Sequence, residues 1–383
     1  MRSPTSPLAD LLLEEIAAHG PIPFRDFMER ALYHPEHGYY ASGKAQTGRR
    51  GDFFTNVSVG PLFGRLLARQ LVEMWDRLAR PVPFTIVEQG AHSGELAQDL
   101  LTGLEELAGD CFAATEYHLV EPISALRVSQ SNRLAPFAQK VRWFAGLSDL
   151  PRFTGVHLSN ELVDAFPVHL MRWTGHAWLE CYVDFSGGAL CLTDGHLSSG
   201  RLPSFLSALP ELPPGYELEI NLAALDWIEQ LAAKLQRGFV LLVDYGFSQE
   251  ELYRPDRVGG TLSAYAAHQR ESNPLARPGE VDLTAHVNFT ALARGAISRG
   301  LRLHGFTDQH HFMVGLGRLH FPDQSDSSQL NSKELRAFQT LMHPTLMGRA
   351  FKALCLSRNV DPARLAGFQF ARDAAESLGL PSV

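Results

Sequence analysis

The stretch Thr85-Ile-Val-Glu-Gln-Gly-Ala-His-Ser-Gly-Glu-Leu-Ala97 decides the fold, because an apolar strand runs straight into a small-residue turn that opens a helix. In a doubly wound sheet that junction is where a nucleotide-like ligand binds. A dinucleotide turn reads G-x-G-x-x-G. Counted from Gly90, this chain has His92 and Glu95 where the second and third glycines belong, which disfavours NAD and FAD. What remains is an acid at the strand end, Glu88, then Gly90 and Gly94, with His92 between them where a glycine is usual.

That acid-x-Gly-x-x-x-Gly form resembles the first motif of class I S-adenosylmethionine-dependent methyltransferases. The short turn lets backbone approach a ligand closely, and the N-terminus of the following helix offers N–H groups to a carboxylate. A second apolar strand, Tyr117-His-Leu-Val-Glu-Pro122, also ends in an acid. Rossmann-type sites place such an acid at the end of the second strand to take hydrogen bonds from ribose hydroxyls, the role expected of Glu121.

The predicted strands fall near 84–88, 117–121, 141–144, 155–159 and 239–244 with helices between, the alternation of a parallel α/β sheet. Helical periodicity covers 8–19, 61–79, 331–343 and 361–378. Between 170 and 220 the pattern turns to short alternating runs bounded by glycine, read as an antiparallel insertion serving as a lid or platform. Gly300–Phe306 and His311–Val314 read as a closing hairpin of the sixth and seventh strands, and Phe351–Leu356 as a further candidate strand. The expected fold class is α/β, a class I Rossmann-like methyltransferase sheet with an N-terminal head piece, an antiparallel β insertion and helical lid elements. The expected organisation is a head piece over 1–80, the methyltransferase domain over 81–320 with insertions at about 170–235 and 247–290, and a C-terminal helical extension over 321–383.

The fourth predicted strand leads into Ser159-Asn-Glu-Leu-Val-Asp-Ala-Phe-Pro167, beyond the carboxyl ends where ligands of open sheets lie. Methyl transfer needs an acceptor lone pair held in line with the methyl group, and positioning of that kind contributes about 7–11 kcal/mol. Glu161 and Asp164 are the candidate catalytic pair, since carboxylates match the planar fork of a guanidinium. The bland alternative is a helix-capping Asp164 and a solvated Glu161.

Composition narrows the classes. The chain has 383 residues, 45% of them hydrophobic, enough to bury a large core. No apolar run approaches the roughly 18 residues of a membrane helix, so no membrane insertion is expected. The net charge of −8 argues against nucleic acid as a general partner. Cys111, Cys181, Cys191 and Cys355 have no C-x-x-C spacing, so no metal site or disulfide framework is indicated. A reducing compartment follows, and an N-terminal stretch carrying Asp10, Glu14 and Glu15 differs from a secretory signal or transit peptide. Cytoplasm is the expected location. His34 with His37, and His310 with His311, are read as structural pairs.

Taken together, Gly51-Asp-Phe-Phe-Thr55, Pro61-Leu-Phe-Gly64, Glu88 to Gly94, Asn160-Glu161 with Asp164-Ala-Phe-Pro167, Val243-Asp-Tyr-Gly246, Gly260-Thr-Leu262 and Asp282-Leu-Thr-Ala-His-Val-Asn-Phe289 resemble the MidA family. The resemblance runs from about Pro21 to Arg358. That family includes the mitochondrial complex I assembly factor that methylates an arginine on a complex I subunit. The resemblance implies S-adenosyl-L-methionine as cofactor and a protein substrate, with a respiratory-complex subunit as a candidate. It implies that Asp52, Thr55, Gly90, Gly94, Glu121 and Asn160 line the cofactor pocket, joined by Glu88 and His92 of the turn. Asp282 and His286 are candidate substrate-side residues, sharing a face if their segment is helical and not if it is extended. The rival reading is a methyltransferase-like scaffold or assembly factor with weak catalysis, slightly favoured by His92. A small-molecule methyltransferase is a third. Acceptor identity, product symmetry and oligomeric state stay open.

Overall fold

The computed structural model describes residues 6–42, 55–266, 269–321 and 332–381. The chain forms two compact units, both discontinuous in sequence. The larger comprises Phe54–Leu162, Leu225–Ser248 and Phe289–Val383; the smaller comprises Met1–Phe53, Val163–Ala224 and Gln249–Asn288. The boundaries expected at 80 and 320 therefore do not separate units. The charge divides unevenly: the smaller unit has 12 Lys+Arg against 20 Asp+Glu, a net −8, and the larger has 22 against 22, a net of zero.

The larger unit is built on strands β1 (Phe84–Gln89), β2 (Thr115–Val120), β3 (Val141–Phe144), β4 (Phe153–Asn160), β5 (Leu235–Phe247), β6 (Arg302–Asp308) and β7 (Phe351–Arg358). They lie in the order β3-β2-β1-β4-β5-β7-β6. All neighbouring pairs from β3 to β5 are parallel, and β7 runs antiparallel to both β5 and β6. β1 is buried along Phe84–Glu88, which is why Phe84-Thr-Ile-Val87 reads as a mostly apolar, β-branched run rather than a strict alternation. Strand order reverses between β1 and β4, so the ends of these two adjacent strands define the topological switch point.

Helix α1 (Leu62–Arg77) packs against α2 (Glu95–Leu107) with Leu66, Leu67, Leu71, Leu100, Leu101 and Leu104 wholly enclosed. The glycine of Pro61-Leu-Phe-Gly64 has a packing cause. A Cβ on Gly64 would sit 2.4 Å from that of Asp99, and one on Gly103 would sit 2.9 Å from that of Ala68.

The hairpin expected at 300–314 is not formed. β6 ends at Asp308, whose carboxylate accepts from His311 N–H at 2.9 Å and caps helix α4 (Gln309–His320). Phe312, Met313 and Leu316 then face the core of that unit, and β7 comes from residues 351–358. Residues 361–378 hold a 3-10 turn, Ala366–Phe368, and a short helix, Ala374–Ser377, in place of the expected long helix. The N–H groups of Ala366 and Gly367 donate instead to Glu73 and Gln70 of α1, both at 2.9 Å.

In the smaller unit the antiparallel insertion expected over 170–220 is present. The sheet runs Ile22–Pro23, Trp178–Ser186, His169–Trp173, Glu217–Ile220, with Ala189–Gly195 hairpinned onto Trp178–Ser186. Gly187 (φ +63°) and Gly188 (φ +87°) make the tight turn, whose two left-handed positions suit glycine. Helices Pro7–His19 and Phe24–Tyr33 bury Leu8, Leu12, Phe24, Phe27 and Met28 in this unit's core. A second small sheet joins Gln269–Glu271, Ser263–Ala266 and Asp282–Thr284. No helix among the described residues is long and apolar enough to cross a membrane.

Candidate active site

At the end of β1 the turn places Gly90 (φ +80°), His92 (φ +45°) and Gly94 (φ +82°) in the left-handed region. His92 thus keeps a glycine-like backbone conformation, and histidine is among the side chains that tolerate it best. Helix α3 (Ser124–Arg133) holds the turn from one side. Gln130 Nε2 donates to the His92 carbonyl at 2.8 Å, and Arg133 Nε donates to the Ser93 carbonyl at 3.0 Å. In a trans peptide the Ser93 N–H lies opposite the His92 carbonyl, so this grip turns it away from α3.

The same Gln130 amide donates to Glu121 Oε2 at 3.0 Å, while Trp143 Nε1 donates to Gln130 Oε1 at 3.0 Å. Glu121 Oε1 accepts from Ile123 N–H at 2.9 Å. Burial pushes the Glu121 carboxyl pKa up, and the Ile123 and Gln130 hydrogen bonds oppose that rise. Each oxygen of an ionised carboxylate accepts about two hydrogen bonds, leaving capacity for ribose hydroxyls. Turn and acid are thus one rigid piece, joined by a glutamine that spacing did not identify. The only signal was Gln130 and Arg133 sharing a helix face at i, i+3.

Glu88 has a different environment from the cofactor contact expected of it. It is 2% exposed, and Tyr117 donates its hydroxyl to Glu88 Oε2 at 2.6 Å. Burial raises its pKa to about 7, against the lowering pull of Tyr117. An acid raised this way keeps its proton in the folded state where the unfolded chain releases it. Its contribution to stability is full below about pH 4.5 and falls as pH rises toward 7. Between pH 5 and 7.5, Glu88→Gln should gain roughly 2 kcal/mol on the wild type. Urea denaturation at each pH reads this, and a pH-independent difference would place the carboxyl in a solvent-like setting.

At the end of β4, Glu161 occupies a left-handed conformation (φ +55°) that tertiary contacts hold. Its N–H donates to the Val243 carbonyl at 2.9 Å, and the next N–H, of Leu162, donates to Asp244 Oδ2 at 3.1 Å. Val243-Asp-Tyr-Gly246 therefore anchors the loop that carries Glu161. Glu161 Oε1 accepts from Asn160 Nδ2 at 2.9 Å and from Asn56 N–H at 3.3 Å. Thr55, expected in the cofactor pocket, shares a 2.8 Å hydrogen bond with Ser58 Oγ and fixes the turn that presents Asn56. Asp52 lies outside the described residues.

In the smaller unit, Tyr40 donates to Asp282 Oδ1 at 3.1 Å. Burial first, then the neighbouring Asp282, Tyr33, Asp164 and Tyr39 in that order, push the Tyr40 hydroxyl pKa well up. Asp164 is thus grouped with Asp282 in this unit, both nearly enclosed. Asp282 lies on an extended strand, so the helical alternative for Asp282 and His286 does not hold. His286 N–H donates to Thr261 Oγ1 at 3.0 Å, and the carboxylate of Glu219 takes the Thr261 and Leu262 N–H groups. That carboxylate explains Gly260-Thr-Leu262. His34 Nδ1 accepts from the N–H groups of Glu36 and His37, and His310 binds the Met342 carbonyl, so both histidine pairs serve structure.

A parallel sheet with this strand order, a glycine turn at its switch point and an acid ending β2 make the group a candidate nucleoside site. The sequence profile of the S-adenosyl-L-methionine-dependent methyltransferase family Methyltransf_28 matches residues 66–307. The chain belongs to this MidA-like family. As a Methyltransf_28 member it is an S-adenosylmethionine-dependent methyltransferase. It is 31% identical to the mitochondrial protein arginine methyltransferase NDUFAF7 homologue of Drosophila melanogaster, over 94% of this chain and 86% of that protein. It is 27% identical to NDUFAF7 of Homo sapiens, over 100% and 89%. A COG1565 superfamily member from Burkholderia thailandensis, bound to S-adenosyl-homocysteine, superposes with a TM-score of 0.86 at 33% identity, covering 96% of this chain and 95% of that one.

The cytoplasmic location read from composition is overturned, because these curated relatives are mitochondrial proteins. Unpaired cysteines separate reducing from oxidising surroundings, and composition carries no further address.

Proposed function

We propose that this Methyltransf_28 enzyme methylates an arginine side chain of a partner protein, with Glu161 orienting the guanidinium. The observation that carries the reading is the Glu161 carboxylate, held by two N–H donors at the carboxyl end of β4 beside the switch point. A fixed carboxylate binds a guanidinium fork and draws its charge away from the attacking nitrogen. Bound S-adenosylmethionine supplies an electrophilic methyl group on a sulfonium. The residues present suit it: the turn Gly90–Gly94 for the methionine end, Glu121 for the ribose, and Asn160 beside them. The −8 charge of the smaller unit favours a basic partner segment. The arginine methyltransferase names of the curated relatives support the same acceptor, and the family resemblance adds a respiratory-complex subunit as its source.

The test is incubation of the purified protein with methyl-labelled S-adenosylmethionine and respiratory-membrane protein, followed by amino-acid analysis of the hydrolysed acceptor. Label in methylarginine is expected. Label confined to lysine or to small molecules would sink the assignment.

A further inference from the structure

Glu161 is the end of a chain of side-chain amides within the larger unit. Gln309, at the first turn of α4, donates from Nε2 to Asn56 Oδ1 at 2.7 Å and to the Leu341 carbonyl at 3.0 Å. Asn56 Nδ2 donates to Asn160 Oδ1 at 3.0 Å, and Asn160 Nδ2 donates to Glu161 Oε1 at 2.9 Å. Asn56 and Gln309 are both wholly enclosed. An ionised carboxylate only accepts. It therefore fixes the orientation of Asn160, which fixes Asn56, which in turn requires a donor at Gln309. Turning the Gln309 amide over would set its oxygen against two acceptors at once, the Asn56 side chain and the Leu341 carbonyl. Four polar groups from three separate stretches of the chain thus share one direction of donation, ending on the carboxylate.

Resting on the orienting role of Glu161 given above, we propose that Asn56 and Gln309 are positioning residues for methyl transfer. They hold Glu161 Oε1 in place without touching the acceptor. Low surrounding dielectric makes each link strong when satisfied and costly when broken. Loss of the Gln309 donor leaves the enclosed Asn56 oxygen unsatisfied, so Asn56 is held from the Asn160 side alone and positions Asn160 and Glu161 less firmly.

The experiment reads the side-chain amide resonances of the labelled protein bound to S-adenosylhomocysteine, in wild type and in Glu161→Gln. Replacing the acceptor-only terminus removes the rule that orients the relay from its Glu161 end, leaving the Leu341 carbonyl as its remaining anchor. The Gln309 and Asn56 amide signals are therefore expected to shift, although neither residue has changed. Unmoved Gln309 and Asn56 signals would overturn the proposal. Gln309→Met should lower kcat for methyl transfer to an arginine-containing peptide roughly tenfold at unchanged KM for S-adenosylmethionine, and an unchanged kcat would count against it. The amide spectrum needs no acceptor, so the relay can fail while the arginine reading stands. Retained transfer by Glu161→Ala would remove both.

Discussion

Glu161→Ala is expected to abolish methyl transfer while leaving S-adenosylhomocysteine affinity within about threefold of wild type, because Glu161 is assigned to the acceptor and not to the cofactor. A preorganised charge aimed at the reacting group contributes about 10²–10³-fold, and alignment of the reacting atoms adds to that. The variant removes both the carboxylate and the terminus of the amide relay, so the loss should lie at the upper end of that range. The fold should persist, because the loop backbone is held independently by Val243 and Asp244. Single-turnover transfer and calorimetric titration, run on the same preparation, separate the two effects. Loss of cofactor affinity in step with loss of transfer would reassign Glu161 to the cofactor pocket.

The second large effect is expected at Glu121. Removing a charged hydrogen-bond acceptor costs about 1.5–3 kcal/mol, so Glu121→Ala should weaken S-adenosylhomocysteine binding between about 10-fold and 150-fold. Part of that loss comes through Gln130, which loses one of its two acceptors and holds the His92 carbonyl less firmly. Gln130→Leu should therefore weaken binding as well, by a smaller factor. Unchanged affinity in Glu121→Ala would take Glu121 out of the site.

Much of the larger unit was legible because its signals are local. β1 is a mostly apolar, buried run ending in a turn that needs left-handed backbone, and Glu121 follows a second mostly apolar run. Gly300–Phe306 was read correctly as a strand, but its partner was misread because His311-Phe-Met-Val314 looks extended until Asp308 is seen to cap a helix. Asp164 was paired with Glu161 by proximity in sequence, whereas the structure groups it with Tyr40 and Asp282, contacts that no local spacing encodes. Gln130, Asn56 and Gln309 escaped notice for the same reason: each acts on a partner brought near by the sheet. The compact units were hidden because each is assembled from three separated stretches of chain.

The most direct measurement is calorimetric titration of the purified protein with S-adenosylhomocysteine and, in parallel, S-adenosylmethionine. Micromolar binding of both is predicted, from a turn whose His92 keeps the glycine-like conformation and from a Glu121 that Gln130 and Ile123 already orient. No binding of either would contradict the assignment of this turn and Glu121 as the cofactor pocket.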